Sequence, residues 1–139
     1  MANGGWYGTR EEWEQAEAPL RRLDPVIERF AKAHGFGLLA NYKDWPSRHL
    51  EKAMPLSCLL QVWRAELTED AWNLWACCSE DRGKKRFWRQ ELLGDRISMD
   101  ELEASIEPLL EAGLKWLKVW SANPQTLEFA TYLSPLRSR

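Results

Sequence analysis

A chain of 139 residues has the length of one domain and can bury most of the apolar surface that its unfolded form exposes. Hydrophobic residues at 45% and charged residues at 29% are globular proportions, and the net charge of -2 argues against a general polyanion binder. No run of about 18 apolar residues could span a bilayer, and the N-terminal MANGGWYGTREEWEQ has neither the basic nor the apolar region of a secretory leader.

Three cysteines, Cys58, Cys77 and Cys78, form no disulfide framework, so the expectation is a soluble, cytoplasmic, single domain over residues 1–139. Nine tryptophans are the unusual feature. Each buried indole removes a large apolar area from water but needs a partner for its N–H, which suits a small core or an aromatic binding surface.

In chain order, Thr9-Arg10-Glu11-Glu12 fits a capping box that opens a helix. Asp24-Pro25 is a second start signal, so residues 10–34 are two short helices or one kinked near Pro19. Trp13, Leu20, Leu23, Ile27, Phe30 and Ala31 mark the inner face, and Gly35 is the stop. Phe36 to Tyr42 reads as a strand, Lys43 to Ser47 as a turn, and Arg48 to Ala53 as a weaker strand ended by Pro55.

Three stronger strands are predicted at Ser57–Leu67, Ala71–Ser79 and Lys84–Leu93. Ser98-Met99-Asp100-Glu101 is another capping box with an Ile97/Leu102 staple, and Leu102, Ile106, Leu109, Leu110, Gly113, Leu117 and Trp120 form one helical stripe to about Ser121. Asn123-Pro124 ends it, and Leu127, Phe129, Tyr132 and Leu133 suggest a docked tail. The fold class is α+β: an antiparallel meander of three to five strands packed in two layers against an N-terminal and a C-terminal helix.

Hairpin registers follow from turn chemistry. A turn centred on Glu69-Asp70 pairs Trp63 with Ala76 and Arg64 with Trp75; a three-residue loop Asp81-Arg82-Gly83 places Trp88 opposite Ala76. Trp63, Trp72, Leu74, Ala76 and Trp88 then share the core face. The other face carries the rows Val62-Cys77-Phe87, Arg64-Trp75-Arg89 and Glu66-Asn73-Glu91. An indole between two guanidiniums is suited to cation-π stacking, so Arg64, Glu66, Asn73, Trp75, Phe87, Arg89 and Glu91 are the candidate binding residues.

Other chemistries find less support. Adjacent strand residues diverge, so Cys77 and Cys78 cannot chelate one ion, and His34 and His49 lack metal-ligand spacing. No catalytic residue, metal or cofactor is implied, and no phosphate-binding glycine motif occurs. The basic run from Arg82 to Arg89 resembles single-strand binding grooves in composition, yet the acidic isoelectric point of 5.8 weighs against nucleic acid.

The leading expectation is a binding or interaction module that holds a protein segment or a small anionic ligand on the polar-aromatic face. A small enzyme with a pocket there, closed by the 42–47 turn or the tail, is second, and single-stranded nucleic acid third. No membrane association is expected. A homodimer formed through the same face would present the same residues.

Overall fold

The computed structural model describes residues 8–66 and 68–129. Helix α1 (Arg10–Glu17) begins as its sequence dictates: the Thr9 hydroxyl accepts the Glu12 N–H at 3.1 Å while Glu12 Oε1 accepts the Thr9 N–H at 2.9 Å. A 3₁₀ turn (Ala18–Arg22) containing Pro19 joins it to α2 (Asp24–His34), so the two-helix alternative holds. Gly35 closes α2 with φ 73°, a left-handed conformation that Gly adopts without a Cβ penalty.

Among the described residues, six strands follow in a single antiparallel sheet whose spatial order is its chain order: β1 (Gly37–Ala40), β2 (Ser47–Ala53), β3 (Ser57–Arg64), β4 (Trp72–Arg82), β5 (Lys85–Ile97) and β6 (Glu128–Phe129). Helix α3 (Met99–Ser121) precedes β6, and the Ser98 hydroxyl caps it by accepting the Glu101 N–H at 3.1 Å. The sheet is therefore larger than the three to five strands expected. The weak segment at Arg48–Ala53 is an interior strand, paired with β3 along its length and with β1 over Arg48–Glu51, and the tail contributes Leu127 to the core and Phe129 to β6. Leu67, Tyr132 and Leu133 lie outside the described residues.

Helices α2 and α3 cover one face. Leu20, Leu23, Ile27, Leu102, Ile106, Leu110 and Leu117 from the helical segments bury against Leu50, Cys58, Leu60, Val62, Trp72, Leu74, Ala76 and Cys78 from the sheet. Gly113 permits the close approach of α3, since a Cβ there would lie 2.5 Å from Leu60 Cδ2. Among the described residues, no helix is long and apolar enough to cross a membrane.

Both predicted registers require correction. Strands β3 and β4 pair Arg64 with Trp72, Gln61 with Trp75 and Leu60 with Ala76, and β4 and β5 pair Ser79 with Trp88 and Cys78 with Arg89. The connection after β3 is wider than a tight turn. Ala65 N–H bonds Ala71 C=O at 2.7 Å, and Asp70 Oδ1 is held by the Trp72 indole N–H and the Met99 N–H. The second hairpin closes through two residues, Gly83-Lys84, with Gly83 at φ 67° in the first loop position that short hairpins reserve for glycine. Each register is displaced by an odd number of residues, which turns β3 and β5 over relative to β4.

A buried ion-pair cluster joins helices to sheet. Arg48 on β2, 5% exposed, donates to Glu17 at 2.8 Å, to both oxygens of Asp24 at 2.8 and 3.1 Å, and to Asn41 Oδ1 at 3.0 Å. Asp24 thus serves this cluster, and no side chain caps α2. Removing one partner of a buried pair leaves an uncompensated charge, at about 3–5 kcal/mol. Arg48→Met is expected to lose that much stability in urea denaturation, with the double variant Arg48→Met/Glu17→Gln recovering part of it; a loss below about 1 kcal/mol would mark the cluster as a surface-type pair.

Candidate functional site

The sheet face opposite the helices is not a wet surface. It carries a second buried cluster of Trp45, Trp63, Trp75 and Cys77, with Leu59 and Trp88 packed against it. Trp75 meets Trp63 edge-on (5.7 Å, 74°) and Trp88 edge-on (5.8 Å, 84°). Such pairs contribute about 0.5–1.5 kcal/mol beyond their burial. Read across the strands, this back face has the rows Ser47-Trp63-Asn73, His49-Gln61-Trp75-Leu92, Glu51-Leu59-Cys77-Gln90 and Ala53-Ser57-Ser79-Trp88.

The expected binding constellation is dispersed. Trp75 and Asn73 do share the back face, but Trp75 stands between Gln61 and Leu92 rather than between two arginines. Arg64 lies on the helix side, stacked over Trp72 at 5.0 Å with its guanidinium donating to Ala16 C=O. Arg89 stacks over Trp120 of α3 at 4.4 Å and donates to Thr126 C=O. Phe87 packs on Phe129, Glu91 pairs in register with Ala76, and Glu66 bonds Arg96 at 2.7 Å. Asn73 accepts the Arg96 N–H at the irregularity in the β4–β5 ladder, where Arg96 has φ 54°.

A cavity of about 240 Å³ opens on the back face, with Tyr42, His49, Leu59, Gln61, Cys77 and Trp88 around it and Glu51, Ser57, Ser79 and Arg86 also contributing. Two of the side chains that line it carry buried polar atoms without a protein partner, His49 Nε2 and Gln61 Nε2. Gln61 is wholly buried and His49 is 5% exposed. Gln61 Oε1 accepts the Trp75 indole N–H at 2.8 Å, which fixes the amide so that Nε2 is a donor left over. An unsatisfied buried polar group costs about 1–3 kcal/mol.

Tyr42 enters from an unusual turn. Asn41, Lys43 and Asp44 all have positive φ (57°, 53° and 59°), a conformation that costs non-glycine residues about 1–3 kcal/mol each and that persists only where the surroundings enforce it. The enforcement is visible. Asn41 N–H bonds Ser47 C=O, Asn41 Oδ1 accepts from Ser47 N–H and from Arg48, and the Trp13 indole donates to Asp44 C=O at 2.8 Å. Held this way, the Tyr42 ring packs on the His49 ring at 4.9 Å and 30°. Of the 42–47 turn, Tyr42 lines the cavity.

Burial lowers the His49 pKa to about 4 and pushes the Cys77 thiol up to about 12. Both shifts favour the neutral forms, so proton transfer from the Cys77 thiol to His49 is disfavoured and the two are not poised as an activated cysteine-histidine couple. Among the described residues, no group of three or more His, Cys, Asp or Glu is placed to hold a metal.

Sequence reasoning missed Gln61 as a site residue, although it is the one polar side chain between Cys58 and Trp63. His49 was considered there as a metal ligand and not as a binding residue. No protein-family model, curated protein or solved structure matches the chain.

Two measurements check these electrostatics. An unfolded imidazole titrates near 6.5 and the folded one near 4, so the unfolded state takes up a proton that the native state refuses. Stability should fall by about 3 kcal/mol as pH drops from about 6.5 to about 4, and His49→Gln should flatten that part of the wild-type curve. At pH 8 only about one Cys77 in ten thousand is thiolate, so iodoacetamide should modify it roughly a thousandfold faster after unfolding; rapid native labelling would contradict the burial.

Proposed function

We propose that this chain is a non-enzymatic binding module that holds a small molecule in the back-face cavity. One observation carries the proposal: two side chains that line the cavity, His49 and Gln61, each hold a buried Nε2 without a partner in the protein. Two waters, at about 30 Å³ each, would occupy a quarter of the roughly 240 Å³ present, leaving room for a small metabolite. Pockets that bind ligands pair mostly apolar walls with a few such polar groups, as Trp88, Leu59 and Tyr42 do with Gln61 and His49.

The other readings draw less support. Arg64 and Arg89, which were to hold an anion, are engaged on the helix side. Within the basic run, Arg82 bonds Glu80 and Pro124 C=O, and Arg86 forks onto Asp81 at 2.8 and 3.0 Å. These internal partners blunt a phosphate footprint. An enzyme would need an activated group, and the Cys77 and His49 titrations argue against one.

Ser57 is exposed yet borders the cavity, so Ser57→Trp should fill it without disturbing the core. In a thermal-shift screen of mixed anionic, cationic and neutral metabolites, ligands at a hundredfold their Kd should raise the wild-type Tm by roughly 10 °C. The same compounds should leave Ser57→Trp unmoved. Hits that persist in the variant place binding elsewhere, and a screen without hits sinks the proposal.

A further inference from the structure

Resting on that reading, we infer that the cavity takes a small, neutral, planar ligand presenting an amide edge, a carbonyl beside an N–H, as lactam heterocycles do. Gln61 sets the first half of the requirement. Its Oε1 is committed to the Trp75 indole, and the flipped amide would point one donor at another, so only Nε2–H remains to offer. The ligand must bring an acceptor to it.

His49 sets the second half. It is the direct ladder partner of Gln61 on β2, which puts the two side chains about 4.5–5.5 Å apart at Cβ on the same face. Its ring is neutral at pH 7, and we assign it the tautomer with the proton on Nδ1, in which Nε2 is an acceptor that a ligand N–H can satisfy. A carbonyl next to an N–H is the smallest common group that answers a donor and an acceptor side by side.

Shape and charge select further. The Tyr42 and Trp88 rings with Leu59 and Cys77 supply aromatic and apolar surface, which suits a flat ring more than a flexible chain. Of the charged side chains at the cavity, Arg86 is neutralised by its fork to Asp81, leaving the Glu51 carboxylate as the excess charge. An anionic ligand would meet that carboxylate with no uncommitted guanidinium to offset it, so the neutral form is preferred.

The test uses the full chain and three probes in isothermal titration: carbostyril, a bicyclic lactam; N-methylcarbostyril, which keeps the carbonyl and loses the N–H; and naphthoate, a planar anion of similar size. Carbostyril should bind, N-methylation should weaken it at least tenfold, and naphthoate should bind more weakly still. Gln61→Met, checked for folding by circular dichroism, should lose carbostyril binding by a similar factor. If that variant does not fold, the N-methyl comparison on the wild type decides alone. Equal binding of the two lactams, or tighter binding of naphthoate, overturns the amide-edge assignment while leaving the cavity as a binding site. Failure of all three probes alongside hits from the metabolite screen has the same meaning. Failure of both overturns the cavity reading itself.

Discussion

Arg48 is the guanidinium on which the rest of the arrangement depends. A charge buried this deeply survives only with its valences filled, and the groups that fill them come from α1, α2 and the turn before β2. Satisfying one side chain therefore fixes three segments against the sheet at once. Because Asn41 is among the partners, the same cluster holds the positive-φ turn in place, and that turn aims Tyr42 at His49. The front of the molecule is thereby a condition for the geometry of its back.

The two faces of the sheet solve different problems. The front buries aliphatic side chains under α2 and α3, where packing density is the main requirement. The back buries indoles, each of which brings an N–H; that of Trp63 has no protein partner, while the other two are answered. Trp75 finds Gln61, and Trp45 finds the Arg64 carbonyl at 2.7 Å. Answering Trp75 uses the acceptor of Gln61 and strands its donor, so the polar character of the cavity is a by-product of burying a tryptophan beside it. In the proposed binding role, structural need and ligand chemistry would meet in one amide.

Local signals carried the helices and the strands other than β6. Capping residues at Thr9 and Ser98, the terminal Gly35 and the stripe from Leu102 to Trp120 act within a few residues of themselves, and each operates in the structure as its chemistry demands. Register is not local in this way. Apolar alternation specifies a sheet when one face is wet, but here Trp63, Trp75 and Trp88 on the back look as core-like as Trp72 and Leu74 on the front. An odd slip exchanges two apolar sets at little apparent cost, and the turn residues that would arbitrate, Asp70 and Gly83, depend on distant partners or on loop length. The division of β4 into inner and outer residues was legible; the partners on β3 and β5 were not. The site followed the register, which is why its arginines were misplaced and its glutamine overlooked.

Strand β4, like β3 beside it, is a wall common to both clusters, sending Trp72, Leu74, Ala76 and Cys78 forward and Trp75 and Cys77 back. It has no independent backing, since whatever shifts its backbone to widen one side must thin the other. A molecule lodged behind it would therefore be felt as compression or relief in the aliphatic layer under α3, with no hinge or moving domain required. In such an architecture occupancy is transmitted through the thickness of a single strand.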